Sequence, residues 1–174
     1  MVVFYHVSTI KLAQGDILEP RYGLTMCDYR YFRSTPDKYS QYLKEQIFED
    51  VRRDKFPSLP SRIKSIYLWD DVKKAVNYIE RYKSKHEECS IYEVEVEHPE
   101  LAISYDMSWM NLSNLQYYES VKEMANYYFS RNSVEDNSLN FGIYSGQNNK
   151  VESTWETLYE GKVKVKGFIP SKVI

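Results

Sequence analysis

Three strand-like segments of the chain carry side chains able to do chemistry. His6 sits in "FYHVS", Tyr67 and Trp69 in "SIYLW", and Glu156 in "STWETLYEG". A histidine at a strand end can pack against backbone, ligate a metal, or form one wall of a binding cleft. Tyr67 and Trp69 can be strand-core aromatics or flat surfaces for a planar ring. Glu156 can be a solvated strand residue, or a carboxylate that offsets positive charge and accepts a proton. Taken singly, each reads first as structural. Metal ligation by His6 is disfavoured. His86 and His98 lie in a polar helix tail and at a strand end, and no C-x-x-C or H-x-x-x-H spacing occurs.

The elements that must position these residues follow from periodicity and punctuation. Residues 2–7 read as a strand, and 11–18 as a turn through Gly15-Asp16. Residues 19–33 read as an irregular loop, because Pro20 and Gly23 interrupt any period. A helix follows over 34–56, capped by Ser34 or Thr35 and favoured by Pro36 and Asp37. Its Tyr39, Leu43, Ile47 and Val51 fall four apart and predict a buried stripe. The proline-pinned "FPSLPSR" leads into a strand over 63–69. Asp70 or Asp71 then caps a helix over 71–85, with Val72, Ala75, Val76, Ile79 and Tyr82 inward. Residues 90–98 alternate as a strand, and 101–107 form another. A third helix spans 111–130, with Leu115, Tyr118, Val121, Met124, Ala125 and Tyr128 on one side. Residues 130–150 read as a polar, mobile loop, and two strands around Glu160-Gly161 close the chain. This order predicts an α+β fold: a mainly antiparallel sheet system with helices at one side.

The totals set limits. A chain of 174 residues suits one domain over 1–174. A net charge of −2 argues against a general polycation but leaves room for a local basic cleft. Cys27 and Cys89 read as reduced thiols. There is neither a secretion signal nor a run of about 20 apolar residues, so a cytoplasmic protein without a membrane partner is expected. The 17 tyrosines, alongside abundant Lys, Asn and Ile, read as codon bias.

The chain resembles the ADP-ribosyltransferase superfamily, and within it a group of small bacterial and phage proteins. "FYHVSTIKLAQGDIL" resembles that group's first strand and the segment after it. It is also similar to the start of rifamycin-modifying ADP-ribosyltransferases. "FEDVRRDKFPSLPSRIKSIYLWDDVKKAVNYI" resembles the group's helix, proline-flanked "PSR", strand and following helix. "YEVEV", "ANYYF" and "WETLYEGKVKV" extend the likeness over nearly the whole chain. The resemblance implies two packed, mainly antiparallel sheets splayed into a cleft for NAD⁺, with a His–Tyr–Glu type of triad. It assigns catalysis to His6, Tyr67 and Glu156, and NAD⁺ binding to His6, Ser8, Arg62, Tyr67 and Trp69. Arg62 is the candidate for the dinucleotide phosphates. The sequence departs from the pattern twice. Relatives carry Tyr-Trp-x-Gly near the third helix, where this chain reads Tyr127-Tyr128-Phe129-Ser130. The rifamycin-modifying relatives use an aspartate as acid, which makes Asp106 in "ISYDMSW" the alternative to Glu156.

The activity implied is mono-ADP-ribosyl transfer, with NAD⁺ as co-substrate. Nicotinamide leaves ribose C1′, positive charge spreads over the ring as in glycoside cleavage, and an acceptor attacks. No G-x-G-x-x-G or P-loop is present, consistent with that resemblance. The acceptor is expected to be a macromolecule, protein or nucleic acid. The 130–150 loop and the basic, aromatic stretch at 29–44 are candidate surfaces for it. By analogy the setting is a toxin or phage-conflict effector, with an antitoxin or inhibitor as a further partner. The alternative is a catalytically inactive nucleotide- or protein-binding module of the same fold, which the altered third-helix motif favours.

Overall fold

A computed structural model of the chain describes residues 2–83, 88–112, 118–137 and 152–170. The expectations for His86, Leu115, residues 84–85 and residues 138–150 fall outside the described residues. Among the described residues, seven strands run in chain order: β1 (Phe4–Ser8), β2 (Ile17–Leu18), β3 (Ile66–Leu68), β4 (Ser90–Val96), β5 (Ile103–Asp106), β6 (Trp155–Tyr159) and β7 (Val163–Ile169). The helices are α1 (Tyr22–Met26), α2 (Tyr29–Phe32), α3 (Pro36–Lys55), α4 (Val72–Tyr82), α5 (Ser108–Leu112), α6 (Tyr118–Phe129) and α7 (Val134–Asn137).

All strand pairings are antiparallel and build two sheets, ordered β1-β4-β7-β2 and β3-β6-β5. The fold is therefore α+β, with two mainly antiparallel sheets. β6 and β7 follow each other closely in sequence yet belong to different sheets, so the chain crosses between layers at Glu160-Gly161. Phe4, Ile66, Leu68, Tyr92, Val94, Val163 and Val165 form one core cluster shared by strands of both sheets. The expected turn is present: Gly15 takes φ +95°, and Asp16 accepts the Ala13 N–H at 2.8 Å.

Helices lie against both sheets rather than at one side. On β4, consecutive Ile91 and Tyr92 are each 3% exposed, so both faces of the first sheet are covered there. α4 covers one of them through Ala75, which joins Trp69 and Ile91 in a separate cluster. α3, α5 and α6 pack on the second sheet around Phe48, Tyr105, Trp109, Tyr128 and Leu158.

Three local expectations change. Residues 19–33 are not irregular: they hold α1 and α2, the latter capped by Asp28, which accepts the Arg30 N–H at 2.8 Å. In the span expected to hold the third helix, the described residues include the end of α5 and all of α6. On α3, capped by Thr35 as expected, the buried residues are Glu45, Phe48, Glu49 and Val51, while Tyr39 is 48% exposed. Two acids thus stand on a helix face that an apolar count assigns to solvent. Their partners, not their hydropathy, put them inside.

Candidate functional site

The two sheets meet at an isolated bridge. Tyr5 N–H donates to the Trp69 carbonyl at 2.8 Å, and Trp69 N–H to the Tyr5 carbonyl at 2.9 Å. No further ladder pair joins β1 to β3 among the described residues. Instead the His6 ring takes the next carbonyl: Nδ1 lies 3.0 Å from the oxygen of Tyr67. A carbonyl only accepts, so Nδ1 carries the proton and Nε2 keeps a lone pair. The imidazole is a wedge where the seam opens. Burial lowers its proton affinity, which the Tyr67 carbonyl only partly restores, so the ring is neutral near neutral pH.

Beyond the wedge is a cleft of about 590 Å³, of the size that holds small ligands. His6, Ser8, Arg62, Tyr67, Trp69 and Glu156 all line it. Segments up to 150 residues apart in sequence thus supply one set of walls. Ser8 is turned on its own loop: its hydroxyl donates to the Ile10 carbonyl at 2.9 Å and accepts the Ile10 N–H at 3.0 Å. Trp69 packs on Tyr78, ring centroids 4.7 Å apart, and its buried Nε1 has no partner among the described residues.

The cleft reaches a buried charge network. Arg62 projects from a short 3₁₀ turn, Arg62–Lys64, after the proline-pinned connector. Gly23 lets α1 press against this turn: a Cβ there would lie 2.2 Å from the Ile63 carbonyl oxygen. The Arg62 guanidinium forks onto Glu45, with Nε 3.0 Å from Oε2 and Nη2 3.2 Å from Oε1. Its Nη1 donates to Glu156 Oε1 and to the Tyr128 hydroxyl, the latter at 2.8 Å. Tyr128 donates to the same Oε1 at 2.7 Å. Tyr22 donates to Glu45 Oε1 at 2.7 Å, and Gln41 donates to Tyr22 at 3.2 Å. The Tyr67 hydroxyl donates to the Arg62 carbonyl at 3.1 Å, and the guanidinium carbon sits 5.3 Å from the Tyr67 ring centroid.

Burial sets the protonation states. It pushes the Tyr22, Tyr67 and Tyr128 phenols well above their ordinary range, so all three remain neutral donors. It also raises the Glu156 carboxyl; Arg62 and Tyr128 pull it down, while Glu45 pushes it further up. Burial works against the Arg62 charge, but Glu156 and Glu45 outweigh it and hold the guanidinium firmly protonated. Both of Glu156's protein partners are on Oε1. Oε2 has none among the described residues, which leaves this oxygen for the cleft.

Asp106 lies elsewhere. It is fully buried and absent from the cleft lining. Oδ1 accepts the N–H groups of Ser108 at 3.0 Å and Thr154 at 3.2 Å; Oδ2 accepts the Val134 N–H at 2.7 Å and the Ser153 hydroxyl at 2.6 Å. Four donors make it a clasp that ties α5, α7 and the approach to β6, with no oxygen to spare as a catalytic acid. Arg62 likewise has four of its five N–H groups engaged within the protein, so it is a floor for the cleft rather than an open fork for phosphates.

The sequence reading missed Tyr22, Gln41 and Glu45. One signal was available. Glu45 and Glu49 stand four apart beside Phe48, where like charges repel unless cations answer them. Arg62 answers Glu45, and Arg52 and Arg53 answer Glu49.

The chain belongs to the family described as protein of unknown function DUF2441, whose model matches residues 4–171. No curated protein matches it. No helix among the described residues is long and apolar enough to cross a membrane.

Proposed function

We propose that the chain is an ADP-ribosyltransferase-like protein that cleaves NAD⁺ at the nicotinamide–ribose bond and transfers ADP-ribose to a macromolecular acceptor. The observation that carries this reading is the convergence of His6, Tyr67 and Glu156 on one cleft at the point where two sheets part. His6 Nε2, a fixed acceptor, takes a hydrogen bond from a ribose hydroxyl and orients the sugar. Tyr67 and Trp69 supply aromatic wall for the nicotinamide ring. The C1′–N bond breaks with its electron pair leaving on nicotinamide, and positive charge develops at C1′. Glu156 Oε2 offsets that charge; the acceptor then bonds to C1′ and gives its proton to the carboxylate. With Arg62 committed to the floor, the phosphate contact passes to Arg21, an exposed cation on the cleft lining. The setting is that of a toxin or phage-conflict effector, and an antitoxin-like inhibitor is a further partner of this proposal.

A second reading has an observation of its own. The Arg62–Glu156 pair partly neutralises the carboxylate, as in a binding module that has lost its chemistry. The test incubates labelled NAD⁺ and a cell lysate with the protein and follows nicotinamide release and label transfer. Release with transfer, reduced roughly 10²-fold or more by Glu156→Gln, supports the transferase. NAD⁺ binding without release in any lysate fraction supports the module. Sensitivity of the label to nuclease or to protease identifies the acceptor.

A further inference from the structure

The network beneath the cleft holds two carboxylates on one guanidinium. Glu45, Arg62 and Glu156 are 1%, 5% and 2% exposed, so water screens little of their interaction. A single Arg–Glu pair would be electrically closed, and its carboxylate a poor stabiliser of a developing cation. Here Glu45 takes Nε and Nη2 and leaves Glu156 only Nη1. Two carboxylates therefore share one guanidinium. The Glu45 end is further satisfied by Tyr22 and Gln41, and the Glu156 end keeps Oε2 for the cleft. We infer that Glu45 is a positioning residue: by competing for Arg62 it limits Glu156 to Nη1, so that the Glu156 carboxylate meets the cleft with less of its charge cancelled by the guanidinium.

This inference rests on the proposed chemistry for its effect on rate, but not for its electrostatics. The groups facing Glu156 are Arg62 from the 3₁₀ turn, Glu45 from α3, Tyr128 from α6, Tyr67 from β3 and Tyr105 from β5. Tyr22 from α1 and Lys44 from α3 act on the same Glu45–Arg62 pair. Among them Glu45 is the one acid, and it opposes loss of the Glu156 proton. Removing its charge lets Arg62 close on Glu156, so Glu156 ionises at lower pH.

The experiment follows the ¹³C side-chain carboxyl signal of Glu156 in the full chain by NMR across pH, for wild type and Glu45→Gln, beside nicotinamide release. The expected result is a lower Glu156 midpoint in Glu45→Gln, an acid limb of the rate profile displaced the same way, and a roughly tenfold or greater fall in kcat with little change in KM. If Glu45→Gln fails to fold, Tyr22→Phe serves: it strips a hydrogen bond from Glu45, throws that carboxylate harder onto Arg62 and moves the midpoint up. An unmoved midpoint in whichever variant folds overturns the inference. A shifted midpoint in a protein that releases no nicotinamide supports the Glu45 coupling and overturns only the proposed reaction.

Discussion

His6, expected at the end of the first strand, stands midway along β1, paired with Tyr92. Its ring takes a carbonyl that a neighbouring strand would otherwise claim. That has a measurable consequence. Burial holds its folded-state value below the unfolded one of about 6.5, so the unfolded chain binds the extra proton first. His6 then contributes stability that is full above about pH 6.5 and is lost as pH falls through the folded value. Melting curves between about pH 7 and pH 5 should drop more for wild type than for His6→Gln. Equal slopes would place the acid sensitivity elsewhere. Glu156, raised rather than lowered, works in the opposite sense, and the comparison of the two proteins cancels it. Glu156 itself was singled out through the resemblance, whereas Glu45 was not. A single sequence states that Glu45 is charged; it does not state that Arg62, 17 positions away, will be folded against it.

At the scale of elements, the caps and the alternation were readable. Thr35 and Asp71 cap their helices as their types demand, and the apolar, aromatic run after Ser65 is a strand. The inward face of α3 was not readable, because apolar spacing was the signal and ion pairing was the cause. The assignment of β6 and β7 to separate sheets was equally hidden, since a short connection suggests neighbours. Asp106 belongs to this scale. Its four hydrogen bonds join elements, and Thr154, one of the donors, leads directly into the strand that carries Glu156. Asp106→Asn turns an amide N–H₂ toward donors and should cost about 3 kcal/mol in denaturant unfolding. Nicotinamide release per folded molecule should stay within about threefold of wild type, since the carboxylate does not line the cleft. A loss near 10²-fold with unchanged stability would instead make Asp106 the acid.

At the scale of the whole molecule, two sheets share a core at one end and part at the Tyr5–Trp69 bridge, and the cleft is a product of that topology. Strand content and class followed from the order of elements, but the parting followed from nothing local: it needs β1 and β3, some 60 residues apart, to meet once and then separate. The proposed ligand is matched to this opening through His6, Tyr67 and Trp69 above and Glu156 below. The most direct measurement is a titration of the labelled full chain with a non-cleavable NAD⁺ analogue, its ribose ring oxygen replaced by carbon, followed by NMR. Saturable shifts concentrated on His6, Tyr67, Trp69, Arg21 and Glu156, which line the cleft, with those of Glu95 on β4 and Glu123 on α6, which do not, unmoved, are the expected result. Absence of saturable binding at millimolar analogue, or shifts confined to residues outside the cleft, would contradict it.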